Sequence, residues 1–427
     1  MMFVLSEPTV CEKIKEMLIH LSKSEEFGEL RVIAITLGLF GGRCPAYETG
    51  LDILHSFGKL PDSDVRRAAA LGLGLLGSVW TDSRKPAELL MDLLKDDQFN
   101  VRRGAALSLG MLSAGRPDYL NAIQLLSSMV KDSNPLMRWG AGIGLGVLGS
   151  SRDSVKKELE LIQTLIRDND DEVRAGAIVG LGLLAKNNPD FQKTTTLLQK
   201  MSSQFDPDIQ WLSALGMGLF GVSKPCFVDA MKLLRTTLDT VSPEVQWGPA
   251  FGLGVVGATC EKEQGLALLL SLLEEVDPSI RWGATVGLGL MSRDKDPYRE
   301  WQALKKVIKE SDVYVRRGAV LAFAISSAFH PMIKSEHSYL KKLIDDPDAS
   351  IRWSVAFGLG LSCRTEDETL TFLQEIKDRD PWIQIGAILG ILGIRSDYKR
   401  IKFLGYALMA LGWWEEGINL LLHFIPS

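Results

Sequence analysis

Glycine-rich strings are the first feature of this 427-residue chain whose residue types and spacing suggest chemistry. Four stretches, at 72–77, 144–149, 216–221 and 252–257, have the form G-x-G-x-x-G. A dinucleotide-binding loop of that form needs a strand before it and a helix that begins within it. Each stretch here lies inside a predicted helix and recurs with a sequence repeat. We therefore attribute these glycines to packing and predict no cofactor.

The side chains that usually carry catalysis or bind metals are scattered. The motifs H-E-x-x-H and C-x-x-C do not occur, and no His-Glu pair recurs along the chain. In such motifs the short spacing brings metal ligands or proton-transfer groups together in the folded chain. The histidines are His20, His55, His330, His337 and His423. The sequence predicts that the protein is not an enzyme, with no catalytic residues and no metal site.

Charge and cysteine content further restrict the functional class and the cellular compartment of the protein. Lys and Arg number 48 against 53 Asp and Glu, a net charge of −5 that disfavours a dedicated nucleic-acid binder. Five cysteines, far apart and odd in number, argue against a disulfide framework and favour a reducing compartment. The first ten residues lack a basic stretch before an apolar one, so no secretory signal is expected. We predict a cytoplasmic protein without a membrane span, because its apolar runs are shorter than the ~20 residues required.

The glycine strings belong to a repeat that runs through almost the whole chain. V-R-R-A-A-A-L-G-L-G-L-L-G begins at Val65, and M-R-W-G-A-G-I-G-L-G-V-L-G begins at Met137. The aliphatic residue that opens each copy, called position 0 below, recurs every 35 or 36 residues, with a last interval of 32. These positions are 30, 65, 101, 137, 173, 209, 245, 280, 315, 351 and 383. The chain is therefore predicted to contain eleven repeats.

Each repeat is predicted to form two helices. The first is amphipathic, as in 155–167, where apolar residues recur at three- and four-residue steps. The second begins after an Asp or Asn three residues before position 0, often followed by Pro, which is a strong helix-start pattern. No strand-like alternation competes with this pattern. The expected fold is all-α, an α-solenoid whose repeats occupy residues 1–395, followed by capping helices at 396–427.

The second helix is apolar or small on all sides, which predicts burial between neighbouring repeats. Glycine occupies positions +7 and +9 in eight of the ten later copies each. A glycine inside a helix costs roughly 0.5–1 kcal/mol relative to alanine. We expect a close approach between neighbouring second helices to offset that cost, since small residues allow such an approach.

The pattern D-x-x-V-R-x-G-A-x-x-G-L-G-L-L resembles HEAT-like repeats, in which an Asp precedes the second helix and an Arg lies just inside it. Here Asp170 with Arg174 and Asp348 with Arg352 match those positions. The Gly/Ala-rich core is also similar to the proteasome/cyclosome repeat. The resemblance covers about residues 10–395 and implies an architecture that serves many partners.

Two rows of side chains are candidates for function. The Arg at position +1 is expected to bond turn carbonyls and the capping Asp residues, forming a ladder between repeats. Gln210, Gln246 and Gln384 interrupt it. Position +2 alternates between bulky types: Trp139, Trp211, Trp247, Trp282 and Trp353 against Arg67, Arg103 and Arg317.

The +2 row has two compatible interpretations. It can bind a partner, because Trp and Arg are enriched where proteins bind each other. It can equally fill space, if each indole covers the glycine-rich face of a neighbouring repeat.

The resulting prediction is a non-catalytic scaffold or adaptor that binds a protein along its second-helix, concave surface. The +2 arginines favour a partner with an acidic segment. One alternative is a nucleic-acid binder that uses the +2 arginines with stacking Trp. Another is an enzyme of the HEAT-like lyase kind that acts on pigments, although no catalytic group here supports it.

Overall fold

The computed structural model describes residues 8–41, 47–78, 83–114, 119–149, 155–184, 234–235, 250, 252–254, 257–258, 262–292, 297–310, 312–328 and 334–394. Every regular element within these ranges is an α-helix, which confirms the all-α prediction. The helices follow one another as packed pairs, and the fold is an α-solenoid. Odd-numbered helices below are the first of each repeat and even-numbered helices the second.

The first helices carry an apolar stripe towards the array and a polar face towards solvent. They are α1 (Pro8–Leu21), α3 (Tyr47–Phe57), α5 (Arg84–Leu93), α7 (Tyr119–Val130), α9 (Lys156–Leu165), α11 (Lys262–Leu273), α13 (Tyr298–Val307), α15 (Lys334–Lys342) and α17 (Glu366–Ile376). In α9 the buried side chains recur at helical spacing, as at Leu159, Ile162 and Leu165.

The second helices contain the repeat motif. They are α2 (Phe27–Gly41), α4 (Ser63–Gly77), α6 (Phe99–Ala114), α8 (Pro135–Gly149), α10 (Asp171–Leu183), α12 (Pro278–Met291), α14 (Val313–Ala328), α16 (Ala349–Ser362) and α18 (Pro381–Ile394). Each contains its predicted position 0. The predicted second helix near 209 and the predicted cap at 396–427 lie outside the described residues. Of the second helix near 245, only residues 250, 252–254 and 257–258 are described, and these are helical.

The predicted capping residues begin the second helices. Asp62 accepts a hydrogen bond from the backbone N–H of Val65 at 2.8 Å, and Asp170 accepts one from Val173 at 3.1 Å. Each carboxylate satisfies an N–H that has no partner within the helix and lies at the positive end of the helix dipole. The turn that precedes each second helix is therefore held in one geometry.

Glycine allows the second helices to approach one another closely, as predicted. A methyl group added to Gly146 of α8 would lie 2.5 Å from Cα of Gly180 of α10. One added to Gly142 would lie 2.9 Å from the backbone nitrogen of Ala177. The obstacle at both positions is backbone, which cannot move aside as a flexible side chain can.

The described chain divides into two compact units, and the divisions fall within α6 and α14. One unit contains residues 113–322. The other contains residues 1–112 and 323–426, and within it α18 packs against both α16 and α2, while α17 contacts α1. Trp382 of this unit lies beside Gly28. The apolar face of the last described second helix is thus covered in part by the first one.

Candidate interaction surface

The second helices expose little beyond their first turn. In α4 every residue from Ala68 to Gly77 is buried, and in α8 every residue from Trp139 to Gly149 is buried. Partly accessible side chains lie at positions −3 to +2 and in the turn before them. The structure does not support a partner contacting the length of these second helices, because glycine-mediated packing leaves no open face there. Contact is restricted to the row of first turns.

The arginine at position +1 of these first turns forms the predicted ladder. Arg138 donates to both carboxylate oxygens of Asp168 in the next repeat, at 2.7 and 2.9 Å. It also donates to the carbonyls of Asp132 and Ser133 in its own turn, at 3.0 and 3.1 Å. The hydrogen bonds between the two side chains lower the pKa of Asp168 and raise the pKa of Arg138, since each charge stabilises the other.

Arg66 repeats this arrangement with Asp96, at 2.8 and 2.9 Å, and with two carbonyls of its own turn. The acceptor differs from the prediction in one respect. Asp96 and Asp168 lie five residues before position 0, whereas the capping Asp lies three before it. In the shortened last repeat Asp380 performs both tasks, accepting from Arg352 at 2.8 Å and capping α18. Gln384 keeps a bond to a turn carbonyl where the arginine is missing.

The tryptophans at position +2 are buried wherever the structure describes them. Trp139, Trp282 and Trp353 are exposed by only 6%, 2% and 1%. Each indole lies against the glycine at position +3 of the next second helix, as a methyl group added to Gly318 would lie 2.7 Å from Cδ1 of Trp282. This geometry favours the packing interpretation for these three residues. Trp211 and Trp247 lie outside the described residues.

Sequence could have revealed this packing through a pairing between positions +2 and +3. A Trp at +2 is followed one repeat later by Gly at +3 in every case, from Trp139 with Gly176 to Trp353 with Gly386. Where +2 is the small Ala175, the next +3 residue is the large Leu212. In these pairs, a large residue at one position is matched by a small residue at the other. Such matching keeps the summed side-chain volume nearly constant, as a close-packed interior requires.

The arginines at position +2 keep the packing role but reach solvent. Cγ of Arg67 lies against Gly104, at the position that an indole ring takes in other repeats. Its side chain remains 21% exposed and forms an ion pair with Asp64 at 3.3 Å. Arg103 and Arg317 are also partly exposed, and the guanidinium of Arg317 lies 5.9 Å from the ring centre of Tyr314. Long aliphatic stems allow such residues to cover apolar surface while the charge stays near water.

Arg31 joins this row although the sequence pattern did not select it. It belongs to the weakest copy of the repeat, at position +1 of α2, and no carbonyl of its own turn accepts from it. It contacts instead Asp62 at 3.5 Å and Asp64 at 3.3 Å in the next repeat. Asp64 therefore lies between Arg31 and Arg67.

The pKa of Arg67 is shifted in the opposite direction to the pKa of Arg66 and Arg138 in the ladder. Burial lowers the pKa of Arg67, and although Asp64 raises it, the charges of Arg31 and Arg103 lower it again. Burial and like charges both disfavour the protonated guanidinium. An additional anion beside Arg67 would act in the opposite direction.

Other functional groups give no second candidate. The described residues contain no group of three or more His, Cys, Asp or Glu arranged to hold a metal ion. In that same part of the chain, no helix is long and apolar enough to cross a membrane. Cys363 is a buried free thiol, whereas Cys11 is disulfide-bonded.

Comparison with known proteins agrees with the repeat assignment. A family model of HEAT repeats matches residues 51–122 and 88–182. An engineered protein of known crystal structure is similar at 19% identity and a TM-score of 0.33, over 85% of this chain and 99% of that one. The complex of CpcE and CpcF of phycocyanin lyase from Nostoc sp. PCC7120 is similar at 19% identity and a TM-score of 0.36, over 60% of this chain and 92% of that one. No curated protein matches the sequence. Over residues 51–182 the chain is thus similar to HEAT repeats.

Proposed function

We propose that this protein is a non-catalytic scaffold that binds another protein through the first turns of its second helices. The observation that carries the proposal is the distribution of exposure along those helices. From position +3 to +9 every residue of the described second helices is buried, while arginine and aromatic side chains of their first turns remain accessible. Repeat arrays use such rows because each repeat presents the same position to one extended ligand.

The residues proposed to contact the partner are those of the accessible row. Arg67, Arg103 and Arg317 supply positive charge, which favours a partner with an acidic segment. The buried Trp139, Trp282 and Trp353 support the row from beneath by fixing the spacing between repeats. Trp211 and Trp247 stay candidates for direct contact, as the sequence predicted.

Hydrogen exchange with a purified partner tests this proposal. Affinity purification from native lysate supplies the partner, which is then titrated back onto the isolated protein. We expect protection to increase in the first turns of α4 and α6, since bound surface exchanges more slowly than free surface. Protection confined to the outer faces of the first helices would contradict the proposal, as would the lack of any stoichiometric partner.

We also propose a cytoplasmic location, following the scattered cysteines. The disulfide of Cys11 is the observation against it, since disulfides are rare in reducing compartments. Alkylation of the protein in intact cells, before lysis, distinguishes the two cases. A reduced Cys11 supports the cytoplasm, whereas a persistent disulfide supports an oxidising compartment.

A further inference from the structure

Three successive second helices of one unit place an arginine in their first turns. These are Arg31 on α2, Arg67 on α4 and Arg103 on α6. Asp64 contacts both Arg31 and Arg67 at 3.3 Å, and the charge of Arg103 is near enough to act on Arg67. The three guanidinium groups therefore form one continuous positive row.

Arg67 is not neutralised in the way that Arg66 of the ladder is. It makes one ion pair, to Asp64, whereas an arginine carries five N–H donors. Asp64 must also accept from the side-chain amide of Asn100 at 3.0 Å, and Asp62 from the backbone of Val65. These carboxylates are shared among several donors, so Arg67 retains capacity for a further anion.

Apolar side chains accompany the charges. Phe27 of α2 and Phe99 of α6 are 41% and 48% exposed. Each lies four residues before an arginine of the row, Arg31 and Arg103 respectively, and thus on the same face of its helix. The surface offers arginine and an exposed ring together, a combination typical of protein-binding sites.

We infer that Arg31, Arg67 and Arg103 form the docking site for an extended acidic segment of a partner protein, with a carboxylate about every third residue. Packed helices lie ~8–10 Å apart, and an extended segment in the polyproline II conformation advances ~3.1 Å per residue with three residues per turn. Every third side chain therefore lies on the same side of the segment and one repeat further along, so successive carboxylates meet successive arginines. This inference rests on the proposed function and specifies the partner's chemistry.

A nucleic-acid strand fits the same row less well. Binding of single strands relies on aromatic side chains that stack on successive bases. The described tryptophans, Trp139, Trp282 and Trp353, are buried beneath the surface instead. Asp62 and Asp64 would also repel a continuous phosphate backbone, whereas a peptide can place uncharged residues opposite them.

Fluorescence anisotropy with a labelled peptide of repeated Glu-Gly-Ser units tests the site on the full-length protein. A peptide of the same composition with its Glu residues clustered at one end controls for net charge. We expect the spaced peptide to bind the more tightly and binding to weaken as salt rises. The double variant Arg67→Gln/Arg103→Gln should weaken binding by at least ~10-fold, since charge-assisted Arg–carboxylate bonds are lost.

The matched control is Lys15→Gln/Lys85→Gln, which changes the net charge equally in the same unit. Both lysines form ion pairs with surface carboxylates, Glu12 and Glu48, and belong to the first helices α1 and α5 rather than to the first turns of the second helices. We expect it to bind like the wild type. If the glutamine variant fails to fold, Arg67→Met/Arg103→Met retains the buried stems and replaces it.

Several outcomes would overturn the inference. They are no binding of the spaced peptide, equal binding of the clustered peptide, an equal loss in the lysine variant, or preferential binding of oligo-dT. Failure of the proposed function is seen separately, in the affinity purification. A partner captured equally by the wild type and by Arg67→Gln/Arg103→Gln would leave the scaffold intact and remove this site.

Discussion

Arg66 and Arg67 are adjacent on one helix, yet their guanidinium groups have opposite surroundings. Arg66 donates four hydrogen bonds to Asp96 and to carbonyls of its own turn, whereas Arg67 has one ion pair and a half-buried stem. The pKa of Arg66 is raised chiefly by the bond to Asp96, while burial lowers that of Arg67. A rotation of ~100° per residue separates the two directions. In α4, arginine thus serves structure at +1 and remains available for binding at +2.

The +2 positions also include both structural and accessible residues. A tryptophan at +2 packs over a glycine and is buried, whereas the aliphatic stem of Arg67 packs over Gly104 and its guanidinium group stays near solvent. A row of bulky residues is therefore compatible with binding at only some of its members. The following variants separate the packing members from the others.

The largest effect is expected for Trp282→Ala. An indole that is 2% exposed leaves a cavity when removed, and such losses usually cost ~3–5 kcal/mol of unfolding free energy. Urea unfolding followed by circular dichroism measures the change. An unmoved midpoint would show that Trp282 is not a packing residue.

The pairing of +2 with +3 supplies a matched control for that variant. Gly318→Leu alone should also destabilise, because the added side chain meets the ring of Trp282 and Oγ1 of Thr285. The double variant Trp282→Ala/Gly318→Leu introduces the residue types that the sequence has at Ala175 and Leu212. It should be more stable than either single variant, since contacting residues are not additive.

Gly146→Leu should cost about 3 kcal/mol, the upper end of the usual overpacking range. The added side chain meets backbone of Gly180, and the better helix propensity of leucine is too small to offset that. Gly50→Ala is the control, because a methyl group there lies 3.5 Å from the nearest atom, the carbonyl oxygen of Leu37. Equal behaviour of the two variants would contradict the close approach of second helices.

Arg138→Met should lower the unfolding free energy by ~1–2 kcal/mol at neutral pH, through lost charge-assisted hydrogen bonds. The folded pKa of Asp168 is lowered, so its contribution is present above the unfolded value near ~4 and is lost as pH falls through the folded pKa. The difference between wild type and variant should therefore shrink in acid. A difference that stays constant down to pH ~2 would mean that Asp168 is not the partner that matters.

The sequence predicted the repeat, the helix starts and the glycine packing because each follows from local pattern. Asp62, Asp170 and Gly146 could be placed by counting from position 0. The fate of Trp139 could not, because burial depends on the size of its neighbour 37 residues later, Gly176. Arg31 was missed for a related reason: its acceptors, Asp62 and Asp64, belong to the next repeat.

The smallest effect on stability is expected for Arg67→Met, and it is the most informative contrast with Arg66→Met. Methionine keeps the aliphatic stem over Gly104, and the lost ion pair with Asp64 is partly exposed, so the change should stay within ~0.5 kcal/mol. Arg66→Met removes five hydrogen bonds and should cost ~1–2 kcal/mol. Thermal melts of the two variants, run side by side, measure both changes. If both variants lost the same unfolding free energy, Arg67 would contribute to stability as much as Arg66 does. That result would contradict a binding role for the arginines at +2.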